Sequence, residues 1–294
     1  MAIPEKELDY HYSPSRWSHR YGPDEVIDAH IKSVTEGSKV AHWCLDCDSD
    51  IPYGTGKKQK LDIFNAKNAK RNGLPILVYI HGGYWQNLSL EMSGFMAPPL
   101  CKAGATVISV GYDLAPEASM DRIVSEIKQA MRYILRYAKE HQSRGIYLCG
   151  HSAGGHLASM VLACEFAEDD AFDSEMIKGA ALVSGVYDLR PLTKTYVNDP
   201  LKLNEEDAWR FSPANFVSEI AGLSQQRDIL IAVAEYDPPE FRRQSADMEK
   251  DLSSRKVKTR YMDISDTDHF DVIEKLQKDS YSLTKEILRL MKLS

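Results

Sequence analysis

One serine in the sequence has the surroundings of a catalytic nucleophile. It is Ser152, the central residue of the segment Gly-His-Ser-Ala-Gly at positions 150–154, which directly follows an apolar run at 146–149. A short buried strand, a turn pinned by glycines and a helix hold a serine hydroxyl out of the sheet edge. The flanking residues must be small because the turn, which we call the elbow, is too sharp for larger side chains. The elbow therefore predicts covalent catalysis by Ser152.

A serine nucleophile needs a histidine that takes its proton and a carboxylate that orients that histidine. Downstream of Ser152, the apolar run at 229–234 is followed by Asp237, and the run at 257–264 is followed by His269. The order serine, acid, histidine, with each residue in a loop after a strand, is typical of the α/β-hydrolases. We therefore predict Asp237 as the acid and His269 as the base.

Other carboxylates near the histidine are alternatives for the acid, namely Asp263, Asp266 and Asp268. All three belong to the predicted strand or loop of the histidine itself. In an α/β-hydrolase the acid follows the preceding strand, and this rule favours Asp237.

Two further glycines could offer backbone N–H groups to a substrate oxygen. Gly82 and Gly83 follow the apolar run at 75–80, in the segment His-Gly-Gly-Tyr-Trp. Without side chains, their N–H groups can approach a carbonyl oxygen that gains negative charge in the transition state, and the N–H of Ala153 would complete this oxyanion hole. Each such donor lowers the barrier by about 3 kcal/mol. A simple turn is the alternative interpretation of these glycines.

Several side chains near these motifs are candidates for supporting roles. We expect four aromatic residues to line the substrate pocket: Trp17, Tyr84, Trp85 and Tyr187. We expect His151 and His156, which flank the serine, to pack on the elbow or to orient it. Asp113 is expected to order its own loop rather than to take part in catalysis.

The elements that carry these loops alternate between strands and helices from residue 75 onward. Apolar runs predict strands at 60–64, 75–80, 105–110, 146–149, 180–184, 229–234 and 257–264. Helical periodicity predicts helices at 24–34, 92–103, 119–140, 153–166, 239–252 and 272–290. The fold class is therefore α/β. We expect a mostly parallel central sheet with helices on both faces, because parallel neighbours require crossover connections.

The chain of 294 residues is predicted to form one domain over residues 1–294. Residues 1–50 are polar and aromatic, and we expect them to be an N-terminal extension that packs near the site. Residues 187–223 interrupt the alternation of strands and helices. We expect this region to form a small cap over the strand ends.

Composition narrows the range of partners. A net charge of −7 and the lack of a Lys/Arg-rich block argue against nucleic acid or an anionic membrane. Five scattered cysteines argue against a disulfide framework. Cys44 and Cys47 have Cys-x-x-Cys spacing, but the sequence contains no second such pair. We therefore predict no metal and no cofactor. No apolar run reaches the roughly 20 residues of a membrane span, and the first residues do not resemble a signal peptide. We therefore expect a cytoplasmic protein, and a homodimer stays open.

These motifs and several other segments resemble a known family. The His-Gly-Gly segment, the stretch Tyr-Asp-Leu-Ala-Pro-Glu at 112–117 and the elbow are similar to those of the hormone-sensitive-lipase-like branch of the α/β-hydrolases. Tyr-Ser-Pro-Ser-Arg-Trp at 12–17, Asp-Pro-Pro-Glu-Phe at 237–241 and Asp-His-Phe at 268–270 narrow the resemblance to the kynurenine formamidases, also called arylformamidases. The resemblance covers nearly the whole chain, and its most discriminating segment is the one at 12–17.

This resemblance implies a serine hydrolase that converts N-formyl-L-kynurenine to L-kynurenine and formate in the kynurenine pathway of tryptophan catabolism. It places the family's triad on Ser152, Asp237 and His269, which the spacing had already selected. We expect the bulky Tyr84 and Trp85, where many esterases have a third glycine, to narrow the acyl pocket toward a one-carbon group. Open alternatives for holding the substrate carboxylate are Arg16, Arg190 and Arg242.

Two other functions stay open at this point. The first is a broad-specificity short-chain carboxylesterase with incidental formamidase activity. The second is a catalytically silent hydrolase fold that serves in binding. Such silent proteins usually lose a member of the triad, and all three predicted members are present here.

Overall fold

Eight β-strands form one sheet at the centre of the computed structural model, which describes residues 4–166 and 174–293. Their bounds are β1 Asp46–Pro52, β2 Lys60–Asn65, β3 Ile76–Ile80, β4 Thr106–Val110, β5 Ile146–His151, β6 Ile177–Val183, β7 Asp228–Tyr236 and β8 Lys258–Asp268. Neighbours across the sheet follow the order β1-β2-β4-β3-β5-β6-β7-β8. The strands from β3 to β8 are all parallel, whereas β1 and β2 form an antiparallel edge. The mostly parallel sheet predicted from the apolar runs is confirmed.

Helices lie between the strands and on both faces of the sheet. The α-helices are α1 Glu5–His11, α2 Pro23–Cys44, α3 Ala97–Lys102, α4 Met120–Glu140, α5 Ala153–Leu162, α6 Asn198–Leu201, α7 Glu205–Arg210, α8 Val217–Leu223, α9 Pro239–Ser254, α10 Asp271–Glu274 and α11 Ser282–Leu290. Short 3-10 helices span Pro14–Trp17, Leu90–Met92, Ser174–Met176, Arg190–Lys194, Pro213–Phe216 and Lys275–Gln277.

Two hydrophobic layers cover the sheet, one on each face. Successive side chains of a strand point to opposite faces, so the uniformly apolar β3 contributes to both layers. Ile76, Val78 and Ile80 pack in the layer that includes α4, α5 and α9. Leu77 and Tyr79 pack in the layer that includes α2, α3 and α11. An unbroken apolar strand is stable only when it is covered on both faces in this way.

The predicted long helix at 119–140 is confirmed as α4. Ser119 caps its first turn by accepting a hydrogen bond from the N–H of Arg122. The apolar residues at helical spacing, among them Ile123, Ile127 and Ile134, are at most 2% exposed. Helical periodicity therefore identified the buried face of α4 correctly.

Four predicted helices have the wrong length, and one of them, predicted at 153–166, ends four residues early at Leu162. α2 continues ten residues past its predicted end at residue 34, through Gly37, which packs tightly against Gln277 and Phe95. The helix predicted at 92–103 begins only at Ala97, just before two prolines that suit a first turn. The helix predicted at 272–290 is broken into α10, a 3-10 turn and α11. The prolines mark the start of α3, whereas α2 continues through a position that packs against distant residues; hydrophobic periodicity registers neither feature.

Two regions lie outside the alternating strands and helices. The region at 187–223 contains three short α-helices and two 3-10 helices. The segment at 4–31 lies against β8 and α10, through Arg20 and His30. Residues 1–3 of the predicted N-terminal extension lie outside the described residues.

Within residues 4–166 and 174–293, no helix combines the length and the apolar character that crossing a membrane requires.

Candidate active site

The elbow at Ser152 is a sharp left-handed turn between β5 and α5. Ser152 has φ 56° and ψ −118°, which is a strained conformation for a residue with a side chain. Its N–H donates to the carbonyl oxygen of Val183 on β6, at 2.9 Å. The turn is thus tied to the neighbouring strand, and the serine lies at the edge of the sheet.

Glycines on both sides of Ser152 are required by close backbone contacts. A Cβ atom on Gly154 would overlap the carbonyl oxygen of Ile80 and would lie 2.7 Å from that of His81. A Cβ atom on Gly150 would overlap the carbonyl oxygen of Gly154. These contacts give the physical reason for the Gly-x-Ser-x-Gly pattern in this chain.

The predicted acid and base form a close pair. Asp237 Oδ1 lies 2.6 Å from Nδ1 of His269, and both side chains are buried. Asp237 Oδ2 accepts hydrogen bonds from the hydroxyl of Ser184 at 2.6 Å and from the N–H of Ala234 at 2.7 Å. Because a carboxylate only accepts, the shared proton lies on Nδ1 and leaves Nε2 of His269 as an acceptor. This is the tautomer that a general base needs.

The three alternative acids have other partners. Asp263 pairs with Arg242, Asp266 lies beside His19, and Asp268 pairs with Arg20. Asp237 is the carboxylate that contacts the ring of His269. Ser184, which holds Asp237, was missed in the sequence, although it is the last residue of the strand predicted at 180–184.

The glycines of the His-Gly-Gly segment lie against the elbow. A Cβ atom on Gly82 would lie 3.1 Å from Cβ of Ser152 and 2.8 Å from the carbonyl oxygen of His151. Gly83 has φ +95°, a conformation that favours glycine, and it lines the same cavity as Ser152. Ala153 is the first residue of α5, so its N–H has no acceptor within the helix.

The backbone before these glycines is fixed by two stacked rings. The rings of His81 and Tyr112 lie parallel with centroids 4.3 Å apart, and the Tyr112 hydroxyl donates to the His81 carbonyl oxygen at 2.9 Å. Burial lowers the pKa of His81 to about 4, so its ring is neutral near pH 7. The segment is therefore held by neutral contacts.

A cavity of about 380 Å³ opens onto the elbow. Its lining residues come from the N-terminal segment, α2, the loop after β3, the elbow, the 187–223 region and the loop after β8. They are Pro14, Ser15, Ile27, His30, Ile31, Gly83, Tyr84, Gln86, Asn87, Leu88, Met92, His151, Ser152, Tyr196, Val197, His269 and Phe270. A cavity of this size, with mostly apolar walls and a few polar groups, suits a small organic molecule.

Of the four aromatic residues predicted to line the pocket, only Tyr84 does so. Trp85 is fully buried behind the elbow, where its indole N–H donates to Nδ1 of His156 at 3.2 Å. Tyr187 is also buried and packs against Gly185. Trp17 packs on Tyr10 instead. The expectation that Trp17, Trp85 and Tyr187 line this cavity is therefore not met, because these rings pack elsewhere.

Two expectations about substrate contacts change as a result. Trp85 has φ +60°, which turns its ring into the core, so it does not narrow the acyl pocket. None of the three candidate arginines lines the cavity. Arg190 pairs with Asp188 and Arg242 with Asp263, and Arg16 is exposed next to the cavity-lining Ser15. Among the described residues, no Lys or Arg side chain lines the cavity.

The two histidines that flank Ser152 have structural contacts. Nε2 of His151 lies 2.8 Å from the carbonyl oxygen of His269, and the two rings lie 4.7 Å apart. Burial and the neighbouring histidines hold the pKa of His151 well below its usual value. A neutral His151 thus connects the elbow to the loop of His269. Nε2 of His156 lies 2.7 Å from the carbonyl oxygen of Phe211.

A group with metal-ligand chemistry lies elsewhere in the described part of the chain. The potential ligand atoms of His42, Cys47 and Asp62 lie within 4.8 Å of one another. His42 already faces Asp62 at 3.4 Å, and none of the three residues lines the cavity. This group is therefore separate from the cavity at Ser152.

The fold and the elbow define the class of the protein. The sequence pattern of the family described as alpha/beta hydrolase fold matches residues 77–271. Two solved esterases share the fold: one from Pyrobaculum calidifontis (TM-score 0.67, 18% identity, 95% of this chain and 97% of that chain) and a thermostable carboxylesterase from a metagenomic library (TM-score 0.66, 20% identity, 93% and 96%). The chain is an α/β-hydrolase.

Relatives of the whole chain narrow the class further. Kynurenine formamidase of Danio rerio is 44% identical over 290 residues, which cover 99% of this chain and 97% of the fish protein. Kynurenine formamidase of Salmo salar is 44% identical over 97% and 96% of the two chains, and that of Drosophila melanogaster is 27% identical over 95% of each. The chain belongs to the kynurenine formamidase family.

The close backbone packing at the elbow leads to a first prediction. Gly154→Ala should lower kcat/KM at least about 100-fold, because the added methyl group displaces the elbow from the His-Gly-Gly segment. The control is Gly222→Ala on α8, where a Cβ atom has nothing within 4 Å and should leave the rate unchanged. Steady-state kinetics and thermal unfolding of both variants check this. Equal values of kcat/KM for the two variants would show that the close contacts at Gly154 are not needed for catalysis.

The buried neutral histidines predict how stability depends on pH. Burial lowers the pKa of both His81 and His156 to about 4, against about 6.5 in an unfolded chain. Between these values the unfolded state binds more protons, so the free energy of unfolding falls as the pH is lowered from 6.5 toward 4. At pH 5 we expect a loss of about 2 kcal/mol per histidine relative to pH 7.

The measurement is the denaturant midpoint at pH 7 and pH 5. His156→Asn cannot be protonated and should weaken this pH dependence, even though it destabilises the protein at both pH values. His19→Asn changes an exposed histidine and should keep the dependence of the unmutated protein. An unchanged pH dependence in His156→Asn would contradict the prediction.

Proposed function

We propose that this protein hydrolyses the formamide of N-formyl-L-kynurenine to L-kynurenine and formate, with Ser152 as nucleophile, His269 as general base and Asp237 as the acid that orients it. The main support is the 2.6 Å contact between Asp237 and His269, at a cavity that both His269 and Ser152 line. Identity of 44% with fish kynurenine formamidases, over nearly the whole chain, supports the substrate.

The geometry suits a two-step acyl transfer. Ser152 Oγ attacks the formyl carbon while Nε2 of His269 accepts the serine proton. The N–H groups of Gly82, Gly83 and Ala153 stabilise the oxyanion of the tetrahedral intermediate. The C–N bond then breaks, and His269 returns the proton to the departing aryl amine. A water molecule, deprotonated by His269, attacks the formyl-serine and releases formate and the free serine.

The neighbours of Asp237 suit its proposed role. During the reaction His269 becomes an imidazolium, and a buried cation is stable only beside a negative charge. Asp237 supplies that charge, and the hydrogen bonds from Ser184 and Ala234 keep its second oxygen satisfied. The carboxylate therefore stays fixed in the orientation that selects the Nδ1–H tautomer.

The cavity walls suit the aryl part of the substrate. Ile27 and Ile31 on α2, together with Phe270, offer an apolar surface next to His269. The hydroxyl of Tyr84 donates to the carbonyl oxygen of Tyr12, so the ring of Tyr84 is held in place against the cavity. The amino-acid end of the substrate would meet no Lys or Arg side chain, because none from the described residues lines the cavity.

We also propose that the enzyme acts in the cytoplasm. All five cysteines are free thiols, and their positions range from half-buried to buried. Free thiols persist in a reducing compartment.

Replacing the nucleophile tests the proposed mechanism. Ser152→Ala should lower kcat for N-formylkynurenine by a factor on the order of 10⁶, because loss of the nucleophile leaves only the oxyanion hole and binding. Absorbance of the released kynurenine measures the rate. The control is Ser159→Ala, which removes another buried serine hydroxyl of α5 and should retain activity. Comparable rates for the two variants would exclude Ser152 as the nucleophile.

The same assay tests the substrate. For the unmutated protein, kcat/KM for N-formylkynurenine should exceed that for short-chain aryl esters. If kcat/KM for the esters were higher by orders of magnitude, the protein would be a carboxylesterase and the formamidase function would be rejected. Inactivity toward both substrate classes, with an intact fold, would favour a binding protein.

A further inference from the structure

The residue before His269 is a fully buried carboxylate with no role in the proposed chemistry. Asp268 is 0% exposed, and its side-chain partners are Arg20 and Ser18, which do not belong to the pair formed by His269 and Asp237. Asp268 Oδ1 accepts hydrogen bonds from the N–H groups of Phe270 and Asp271, both at 2.9 Å. In return, the N–H of Asp268 donates to Oδ1 of Asp271 at 2.8 Å. These three bonds close the turn that carries His269.

Arg20, from the segment before α2, supplies the countercharge for Asp268. Its Nε donates to Asp268 Oδ2 at 2.9 Å and its Nη2 to Oδ1 at 3.1 Å, which is the two-pronged geometry of a strong Arg–carboxylate pair. The hydroxyl of Ser18 donates to Oδ2 at 2.6 Å. Arg20 also reaches Glu274 on α10, at 3.1 Å.

The carboxylate of Asp268 stays ionised because of these partners. Burial alone would raise its pKa, but the hydrogen bonds from Arg20 and Ser18 outweigh burial and hold the pKa well below its usual value. An ionised carboxylate can accept from both backbone N–H groups and from Arg20 at the same time. A protonated one would lose part of this capacity.

The backbone of His269 is therefore held from both sides. The Asp268 side chain binds the N–H groups that follow the histidine, and Nε2 of His151 lies 2.8 Å from the histidine's own carbonyl oxygen. The ring is oriented by Asp237. The ring contact sets the tautomer, and the backbone contacts set where Nε2 lies relative to Ser152.

We propose that Arg20 is a positioning residue, which acts through Asp268 to hold the turn that places His269 against Ser152. The inference rests on the proposed roles of Ser152 and His269. Arg20 does not line the cavity, so it does not act by binding substrate. Without Arg20, a buried carboxylate lacks its countercharge, and the turn must rearrange or the carboxyl must take up a proton.

The first test compares kinetic constants of three variants. Arg20→Gln should lower kcat about tenfold or more, with KM changed less than twofold, because a small misplacement of the base slows the chemistry without altering the cavity. Arg20→Lys keeps the charge but loses the two-pronged geometry, and should restore part of kcat. The control is Arg210→Gln, since Arg210 forms an exposed two-pronged pair with Asp121 and neither residue lines the cavity. It should have the kcat of the unmutated protein.

A double-mutant cycle tests whether Arg20 acts through Asp268. Asp268→Asn and Arg20→Gln should each lower kcat, and the double variant should lose much less than the product of the two factors. Independent, multiplicative effects would overturn the proposal. So would an unchanged kcat in Arg20→Gln, or a larger effect on KM than on kcat.

Reaction of Ser152 with a fluorophosphonate separates this inference from the proposed substrate. The reaction requires a competent serine and histidine but no formamide, so its rate should fall in Arg20→Gln whichever substrate the enzyme uses. A protein that reacts with the probe but not with N-formylkynurenine would reject the substrate and leave the inference standing. If Arg20→Gln does not fold, Ser18→Ala removes one bond to Asp268 and should lower the probe rate while thermal unfolding stays cooperative. An unchanged probe rate in a folded variant would overturn the proposal.

Discussion

The rest of the site depends on the strained turn at Ser152. Ser152 has φ 56° and ψ −118°. A residue keeps such a strained conformation only when the surrounding structure holds its backbone in place. The loop after β3 comes so close to the elbow that Gly154 and Gly82 have no room for a Cβ atom. The same close approach brings Gly82 beside Ser152. The strained serine and the proposed oxyanion hole therefore lie where these two loops pack together.

Sheet order explains why residues so distant in sequence meet at this turn. The loops with Gly82, Ser152, Asp237 and His269 follow β3, β5, β7 and β8, which are parallel, so all four loops lie at one edge of the sheet. β6 lies between the serine and acid strands, and Ser184 at its end binds Asp237. β6 carries none of the three proposed catalytic residues, yet the residue at its end holds Asp237 in place.

Local patterns sufficed to predict the sheet, α4 and the residues that meet at the elbow, because each depends on short-range sequence signals. The two prolines at 98 and 99 also marked the start of α3 and could have corrected that prediction. Other features depend on contacts between distant segments. Trp85 lies two residues after Gly83 in the sequence, yet its ring is fully buried and its indole N–H donates to His156. No periodicity reveals such a partner, and the same holds for the cavity-facing Ile27 and Ile31 of α2.

The N-terminal segment is physically part of the site. Pro14 and Ser15 line the cavity, and Tyr12 packs on Phe241, whose ring lies 4.8 Å from that of His269. Arg20 then binds the carboxylate that precedes the same histidine. The same stretch of chain therefore supports His269 in two ways. Tyr12 packs on the aromatic ring beside the histidine, and Arg20 forms an ion pair with the carboxylate that precedes it. Because the buried charge of Asp268 is stable only beside Arg20, folding of this segment and ordering of the histidine turn must be coupled.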